Sequence, residues 1–328
     1  MGAMHANELP VTSMTLPEAL SSAVGAWLER EGLGGRRLSA AANTAIYRDG
    51  GTSAGIDLSA YLVARLPATH AAVTKVLGEL ASRRPGFSPK SLLDVGAGPG
   101  TASWAAAAQW PGIESVTFLD INQRFLKLAG DLAASGPPAL AAARSLTGTI
   151  EAMPLSLSAE LVVAAYTLAE LPLARMAKAA EALWGAAQST LVVVEPGTPP
   201  GFARLAAVRE TLLRAGAVAV APCPHAGTCP MTGGDWCHFS VRLARSRAHM
   251  HAKAAAVPFE DEKFAYLVLA RGGALSRGAR VLSPPIVRKP GITFSLCTKA
   301  GLETRHIARR DAEAYKINRK KGWGDLLA

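Results

Sequence analysis

Hydrophobic positions follow two different rhythms along the chain. Up to residue 84 they recur every three or four residues; from residue 91 they fall in short unbroken runs separated by longer mixed stretches. Leu16, Leu20, Val24 and Leu28 share one face of a helix expected over Leu16–Arg30, and Gly32-Leu33-Gly34-Gly35 ends it. The same spacing predicts helices over Leu38–Arg48, closed by Asp49-Gly50-Gly51, over Asp57–Leu66, closed by Pro67, and over Thr69–Arg84. Pro85-Gly86-Phe87-Ser88-Pro89 reads as a linker. Residues 1–88 carry no obvious chemistry and are expected to form a helical cap.

From Ser91 the short runs predict strands at Ser91–Val95, Val116–Asp120, Arg144–Thr149, Leu161–Ala165 and Thr190–Glu195. The stretches between them predict helices at Thr101–Gln109, Gln123–Ala134, Ala169–Leu183 and Phe202–Ala215. Repeated β-α units imply a parallel sheet covered by helices on both faces, with ligands at the carboxyl ends of the strands. Val241–His251 is expected to be helical. Phe264–Ala270 and Ile292–Leu296 are expected to be the last two strands, an antiparallel pair closing the sheet edge. The expected division is a helical region, 1–88, and a Rossmann-like domain, 89–328. The latter contains a cysteine-rich insertion, 216–258, and basic C-terminal strands and tail, 259–328.

The first strand runs into Asp94-Val95-Gly96-Ala97-Gly98-Pro99-Gly100 and then a helix. Glycine permits the turn and lets a ligand approach the backbone beside the positive end of the helix. The second strand ends in Asp120, an acid suited to both hydroxyls of a ribose. Dinucleotide binders carry GxGxxG; here the third glycine comes one residue earlier. The form DxGxGxG resembles motif I of class I S-adenosylmethionine (SAM) methyltransferases. That resemblance implies that Gly96, Ala97, Gly98 and Gly100 pass under the methionine and ribose, that Asp94 steadies the loop, and that Asp120 takes the ribose. Glu151 is placed to approach the adenine and Tyr166 to line the pocket. After the fourth strand, base-methylating enzymes often carry an Asn/Asp-Pro-Pro-aromatic box; Ala164-Ala165-Tyr166-Thr167-Leu168-Ala169-Glu170 lacks it.

Composition narrows the class. The chain has 328 residues, is 49% hydrophobic and has a net charge of +10. No apolar run is long enough to cross a bilayer. The first basic residue is Arg30, which argues against a secretory signal or an Arg-rich transit peptide. The charge is uneven. Residues 1–239 hold 17 Lys and Arg against 18 Asp and Glu, whereas residues 240–328 hold 18 against 7. The last quarter therefore reads as a polyanion-binding face, with Arg242, Arg245, Arg309, Arg310, Lys320 and Lys321 as candidate RNA contacts.

Cys223, Cys229 and Cys237 lie in a Gly- and Pro-rich segment too poor in aliphatic residues to build its own core. Four cysteines in so long a chain do not form a secreted disulfide framework. With His225 or His238 the three could make a zinc site; with distant Cys297 they could hold an iron–sulfur cluster. A cysteine nucleophile of the C5-cytosine methyltransferase kind is disfavoured, because its Cys-Pro follows a fourth strand that here has no cysteine.

The chain resembles the methyltransferase-like small-subunit ribosome assembly factors of mitochondria and bacteria. The resemblance rests on Tyr61–Thr69, Leu92–Gly100, Val194–Pro199, Cys223–Phe239 and Trp323-Gly324-Asp325. It implies a 4Fe–4S cluster on Cys223, Cys229, Cys237 and Cys297, and binding to small-subunit ribosomal RNA, with no membrane or DNA partner. The compartment it implies is the cytoplasm in a bacterium and the mitochondrial matrix for a eukaryotic relative. Both a SAM-dependent RNA methyltransferase and a non-catalytic RNA-binding assembly factor fit these features.

Overall fold

A computed structural model describes residues 14–33, 38–43, 55–232, 234–273 and 278–327. The Gly34-Gly35 break, most of the helix expected over Leu38–Arg48, the Asp49-Gly50-Gly51 stop and Arg277 lie outside the described residues.

The first helix, α1 (Glu18–Arg30), buries Leu20, Val24 and Trp27, and Leu16 and Leu28 pack at its margins. The two helices expected on either side of Pro67 are one rod. Asp57 caps the start by accepting from Ser59 N and Ala60 N, and α2 (Leu58–Ala60) runs into a π-turn over Tyr61–Arg65 and then α3 (Leu66–Arg83). Pro67 sits in the first turn of α3, where its missing N–H and fixed φ are tolerated, so it does not break the rod. α3 buries residues around most of its circumference, from Leu66 to Leu80, against α4 (Thr101–Gln109) and the sheet.

The main sheet has the order β3-β2-β1-β4-β5-β8-β6. β1 (Ser91–Val95), β2 (Ser115–Asp120), β3 (Arg144–Thr147), β4 (Ala159–Ala165) and β5 (Ala187–Pro196) are parallel. β1, β4 and β5 read as nearly continuous apolar runs because both faces are covered, whereas β3, at the sheet edge, is polar and largely exposed. α5 (Gln123–Ala133) and the short α6 (Pro138–Ala141) connect β2 to β3. The helix expected over Ala169–Leu183 is shorter: Pro172 divides its start into two 3-10 turns, Leu168–Glu170 and Leu173–Arg175, and α7 (Met176–Ala186) follows. α8 (Pro199–Arg214) leads to β6 (Val218–Ala221), a short strand that the pattern did not predict.

β8 (Phe259–Ala270) runs antiparallel between its neighbours. One edge pairs with β5 over Phe264–Ala270. The other pairs with β6 near Val268–Ala270 and with β7 (Phe239–Ala244) over Phe259–Phe264. β6 and β7 thus lie end to end along one edge, and residues 222–238 are the excursion between them. The helix expected over Val241–His251 is a correction: its first half is β7, and only α9 (Arg247–Ala252) is helical. Alternate burial of Phe239, Val241 and Leu243 marks the period of two.

The expected terminal pair is also corrected. Phe264–Ala270 belongs to β8 in the main sheet, whereas β11 (Gly291–Thr298) is the centre of a second, five-stranded sheet. There β11 pairs with β12 (Gly301–Ala308) on one edge and with β10 (Ile286–Arg288) and β9 (Ala279–Val281) on the other; β13 (Leu326–Leu327) joins β9. Cys297 therefore lies inside β11 rather than beyond the last strand. This sheet has its own core of Val281, Ile292, Phe294, Leu296 and Ile307, with Tyr315 of α10 (Ala312–Asn318) packed on it.

At the carboxyl end of β5, Glu195 is fully buried. Its Oε1 accepts from Leu168 N at 2.9 Å, and its Oε2 has no hydrogen-bond partner among the described residues. Burial pushes its pKa up to about 8, so the folded chain holds a proton that the unfolded chain releases above the ordinary carboxylate value. The stability tied to that proton is present at low pH and is lost as pH rises from about 4.5 through about 8. Urea unfolding of Glu195→Gln across this range should therefore show a flatter pH dependence than the parent chain. Identical slopes would show that Glu195 ionises normally.

Candidate functional site

The strand order reverses between β1 and β4, and a cavity of about 870 Å³ opens there at the carboxyl ends of the strands. The turn after β1 forms one wall. Gly96 has φ +66°, and Thr167 lies where a Cβ would project; its hydroxyl donates to Val95 O at 3.0 Å. Gly100, at φ +75°, starts α4 with the Phe118 ring 3.3 Å from its absent Cβ. These positions exclude larger residues by close packing as well as by backbone angle.

Gly96, Gly98, Asp120 and Tyr166 line this cavity. Asp120 is nearly buried; Oδ2 accepts from Gly98 N at 2.8 Å and Oδ1 from Asn122 N at 2.7 Å. The carboxylate thus ties the glycine turn to the end of β2 while facing the cavity. Asp94 does not line it. Its Oδ2 accepts from Ser103 N at 3.0 Å and Ser103 Oγ at 2.7 Å, which pins α4 to β1, and burial raises its pKa to about 7. Ala97 and Gly100 lie behind the wall, and Glu151 pairs with Arg175 at 3.1 Å, one residue beyond the lining Ile150.

Tyr166 stands directly after β4 with φ +60°, a conformation that a bulky residue adopts only where its surroundings hold it. Its hydroxyl donates to Glu262 Oε1 at 2.9 Å, and the Arg65 guanidinium lies 4.1 Å over its ring and 3.0 Å from the same carboxylate. Burial holds the phenol well above its ordinary pKa, so it stays a neutral donor. The Glu262 charge is matched by Arg65. Glu170, at the cavity's edge, has its pKa raised to about 7, first by burial and then by Asp120. Tyr61, from the π-turn, also lines the cavity.

A second, smaller cavity of about 50 Å³ is lined by all four cysteines, although they come from distant points of the chain. Cys223, Cys229 and Cys237 belong to the excursion between β6 and β7. Cys297 comes from β11, directly opposite Arg280 of β9. None is in a disulfide. Among the described residues, no three His, Cys, Asp or Glu side chains are already grouped around one ion position. Two guanidiniums line the same space. Arg209 of α8 reaches Cys223 Sγ at 3.3 Å. Arg280, 1% exposed, donates to Pro222 O at 2.7 Å, to Gly324 O, and to Glu79 Oε1 at 2.9 Å. Burial pushes the Cys297 thiol up to about 11 and Cys237 well above its usual value, with the neighbouring cysteines adding to both. His225 Nε2 lies 3.5 Å from Cys297 Sγ. His238 instead stacks on Trp236 and meets Trp323 edge-on.

The candidate RNA residues divide in two. Arg242 is bidentate to Asp261 at 2.8 Å, and Arg245 lies 3.3 Å from Glu260, so both are engaged by β8 acids. Arg309, Arg310, Lys320 and Lys321 belong to the second sheet and the segment after it, where Arg309 donates to Tyr315 Oη at 3.2 Å and lies over the same ring. Sequence reasoning missed Glu170, Glu262, Arg209 and Arg280, whose roles depend on strands and helices far apart in sequence. Tyr61 and Arg65 had a signal, since both lie in Tyr61–Thr69.

The strand order with its antiparallel β8 is that of the class I SAM-dependent methyltransferase fold. Solved structures of this class align with the chain. The N-methyltransferase NodS of Bradyrhizobium japonicum WM9, with S-adenosyl-l-homocysteine, is 13% identical with a TM-score of 0.43, covering 70% of this chain and 98% of that one. Magnesium protoporphyrin IX methyltransferase of Synechocystis PCC 6803 is 14% identical with a TM-score of 0.43, covering 71% and 95%. Among curated proteins, the human mitochondrial ribosome assembly protein METTL17 is 31% identical over 292 residues, 81% of this chain and 61% of that protein. Rsm22-cox11 tandem protein 2 of Schizosaccharomyces pombe, also mitochondrial, is 24% identical over 326 residues, 82% and 42%. The chain thus spans about three fifths of the human relative's length and about two fifths of the yeast one's. Residues 56–328 match the model of the family described as mitochondrial small ribosomal subunit Rsm22, and the chain belongs to that family.

Proposed function

We propose that this chain is a SAM-binding, cluster-bearing assembly factor of the small ribosomal subunit, acting on its ribosomal RNA. One observation carries the reading: the glycine turn, Asp120 and Tyr166 meet in one large cavity at the switch point of a chain of this family. Asp120 would take the ribose hydroxyls and the Gly96–Gly98 backbone would pass beneath the ligand. Tyr166 favours a second reading, in which the pocket binds SAM without transferring its methyl group. It stands where a base-methylating enzyme carries its catalytic box, neutral and held by Glu262 and Arg65.

The thiol pocket supports a 4Fe–4S cluster on Cys223, Cys229, Cys237 and Cys297. The donor set is four free sulfurs beside the Arg209 guanidinium, which pairs with no carboxylate among the described residues, whereas the Arg280 charge is met by Glu79. Tetrahedral zinc draws its sulfurs to about 2.3 Å. Four thiols that line one cavity, with no three grouped around one ion position among the described residues, fit a larger inorganic core better than one ion. Zinc with three cysteines and His225 is the alternative, supported by the His225–Cys297 contact. The cluster supplies structural cross-linking of segments that lack an apolar core. The mitochondrial relatives support the matrix as the compartment of a eukaryotic homologue, and the same reading puts a bacterial one in the cytoplasm. The division into a helical region, 1–88, and a methyltransferase-fold domain carrying the cysteine excursion and basic end is part of the same proposal.

Calorimetry should detect SAM binding. Asp120→Ala should weaken it about ten- to a hundredfold, the effect of losing charge-assisted hydrogen bonds of roughly 1.5–3 kcal/mol. A parent chain that does not bind SAM would remove this reading. Transfer of radiolabelled methyl to small-subunit RNA then separates enzyme from binder.

Replacing Arg309, Arg310, Lys320 and Lys321 with Glu should weaken RNA binding and flatten its salt dependence. Unchanged affinity and slope would make the basic end a solvated surface only. Arg242→Glu should act mainly through stability, since Asp261 already holds that guanidinium.

Anaerobically purified protein should be brown with about four irons per chain. Cys297→Ser should bleach it, and His225→Ala should leave the colour. One zinc, retained in Cys297→Ser and lost in His225→Ala, would establish the alternative.

A further inference from the structure

Arg209 is the anomaly of the thiol pocket. Its side chain is buried, with the residue 7% exposed, yet among the described residues it forms no ion pair with a carboxylate. The other buried arginine, Arg280, differs, as do half-buried Arg65 and Arg245. Arg280 meets Glu79, Arg65 meets Glu262, and Arg245 meets Glu260. Arg209 donates through Nη2 to His225 O at 3.0 Å and Gly227 O at 2.7 Å, and through Nε to Cys223 Sγ at 3.3 Å. A neutral thiol is a weak acceptor, and two carbonyls supply no net charge. A buried guanidinium in such company is costly unless an anion is present. The pocket it faces holds four sulfurs that become anionic when they ligate a metal.

We propose that Arg209 is the built-in counter-cation of the four-thiol pocket, a positioning residue that favours the metal-loaded state through its N–H···S bond to Cys223 and its unpaired charge. The inference rests on the reading of the pocket as a thiolate-ligated metal site. Two consequences follow from charge alone. Reduction adds negative charge beside Arg209, so the guanidinium favours the reduced form, and the hydrogen bond to sulfur acts in the same direction. In metal-free protein the same charge is uncompensated and destabilises the fold. Bracing of the loop through the two carbonyls would produce neither a charge dependence nor a reversal of sign.

The test compares the full chain with Arg209→Gln and Arg209→Lys, all purified anaerobically. Metal retention against a chelator, the midpoint potential in a dithionite titration followed by electron paramagnetic resonance, and urea unfolding with and without metal are measured. Arg209→Gln should hold its metal about tenfold more weakly, the size of effect expected when an outer partner of a ligand is lost. Its midpoint potential should be lower than that of the parent. Metal-free Arg209→Gln should be more stable than the metal-free parent, while the loaded variant is less stable. Arg209→Lys should stay near the parent in retention and potential. The proposal is overturned if both variants match the parent, if both lose metal equally, or if metal-free Arg209→Gln is less stable or fails to fold. A parent chain holding no metal refutes the underlying reading instead. A parent holding zinc refutes the cluster but leaves retention and metal-free stability to decide on Arg209.

Discussion

The hydrogen-bonding edges of β8 organise both candidate sites. A buried strand must pair every backbone group on both edges. β5 satisfies one edge over Phe264–Ala270; the other is shared by two short strands laid end to end, β6 and β7. Seventeen residues, 222–238, leave the sheet at the junction and return to the same edge. They carry three of the four cysteines. Their excursion is anchored at both ends by sheet pairing, which fixes where the thiols can lie without an apolar core of their own. The acids of the same strand then reach outward. Glu262 reaches Tyr166 and Arg65 at the large cavity, and Glu260 and Asp261 hold Arg245 and Arg242.

The second sheet completes the thiol pocket by register. Cys297 and Arg280 are directly opposed on β11 and β9, so one antiparallel pair delivers a thiol and a guanidinium together. Arg280 then extends to Pro222 O, Gly324 O and Glu79, joining the excursion, the C-terminal segment and α3. Trp323 packs edge-on to His238 from the same segment. The pocket is therefore a junction of parts of the chain distant in sequence, and a group bound to its four sulfurs would cross-link the excursion to β11.

The parallel half of the fold was legible because its signals are local. The central strands β1, β4 and β5 are short apolar runs, and the glycine turn announces its own geometry. The glycines and Asp120 could be placed at a ligand site because the end of each strand can be read from the strand itself. The antiparallel half was less legible for a physical reason. Val241–His251 contains a strand with period two followed by one helical turn and a half, and a continuous basic stretch hides the change of period. β9, β10 and β13 are two or three residues long and exist only through their partners. Pro67 misled because its ordinary effect is to end a helix, whereas here it falls in the first turn after a π-turn. Glu262, Arg209 and Arg280 carry no local mark at all; their significance lies in which buried charge each one faces.

Charge pairing also decides which part of the basic end is free to meet a polyanion. The excess of positive charge begins near residue 240, but several of its first members are already paired with acids. Arg242 and Arg245 face Asp261 and Glu260, and Lys253 shares Glu260, whose pKa is depressed to about 2 by His249 and Lys253 despite the opposing effect of burial. A phosphate approaching these residues would have to displace carboxylates already in place. Beyond Gly291 the balance changes. Glu303 pairs with Arg305, whereas Arg310, Lys320 and Lys321 form no ion pair with an acid among the described residues. The surface of the second sheet and the turn after α10 therefore hold uncompensated charge. That sheet is joined through Cys297 and Arg280 to the thiol pocket, so the electrostatic face and the four sulfurs belong to one packed unit.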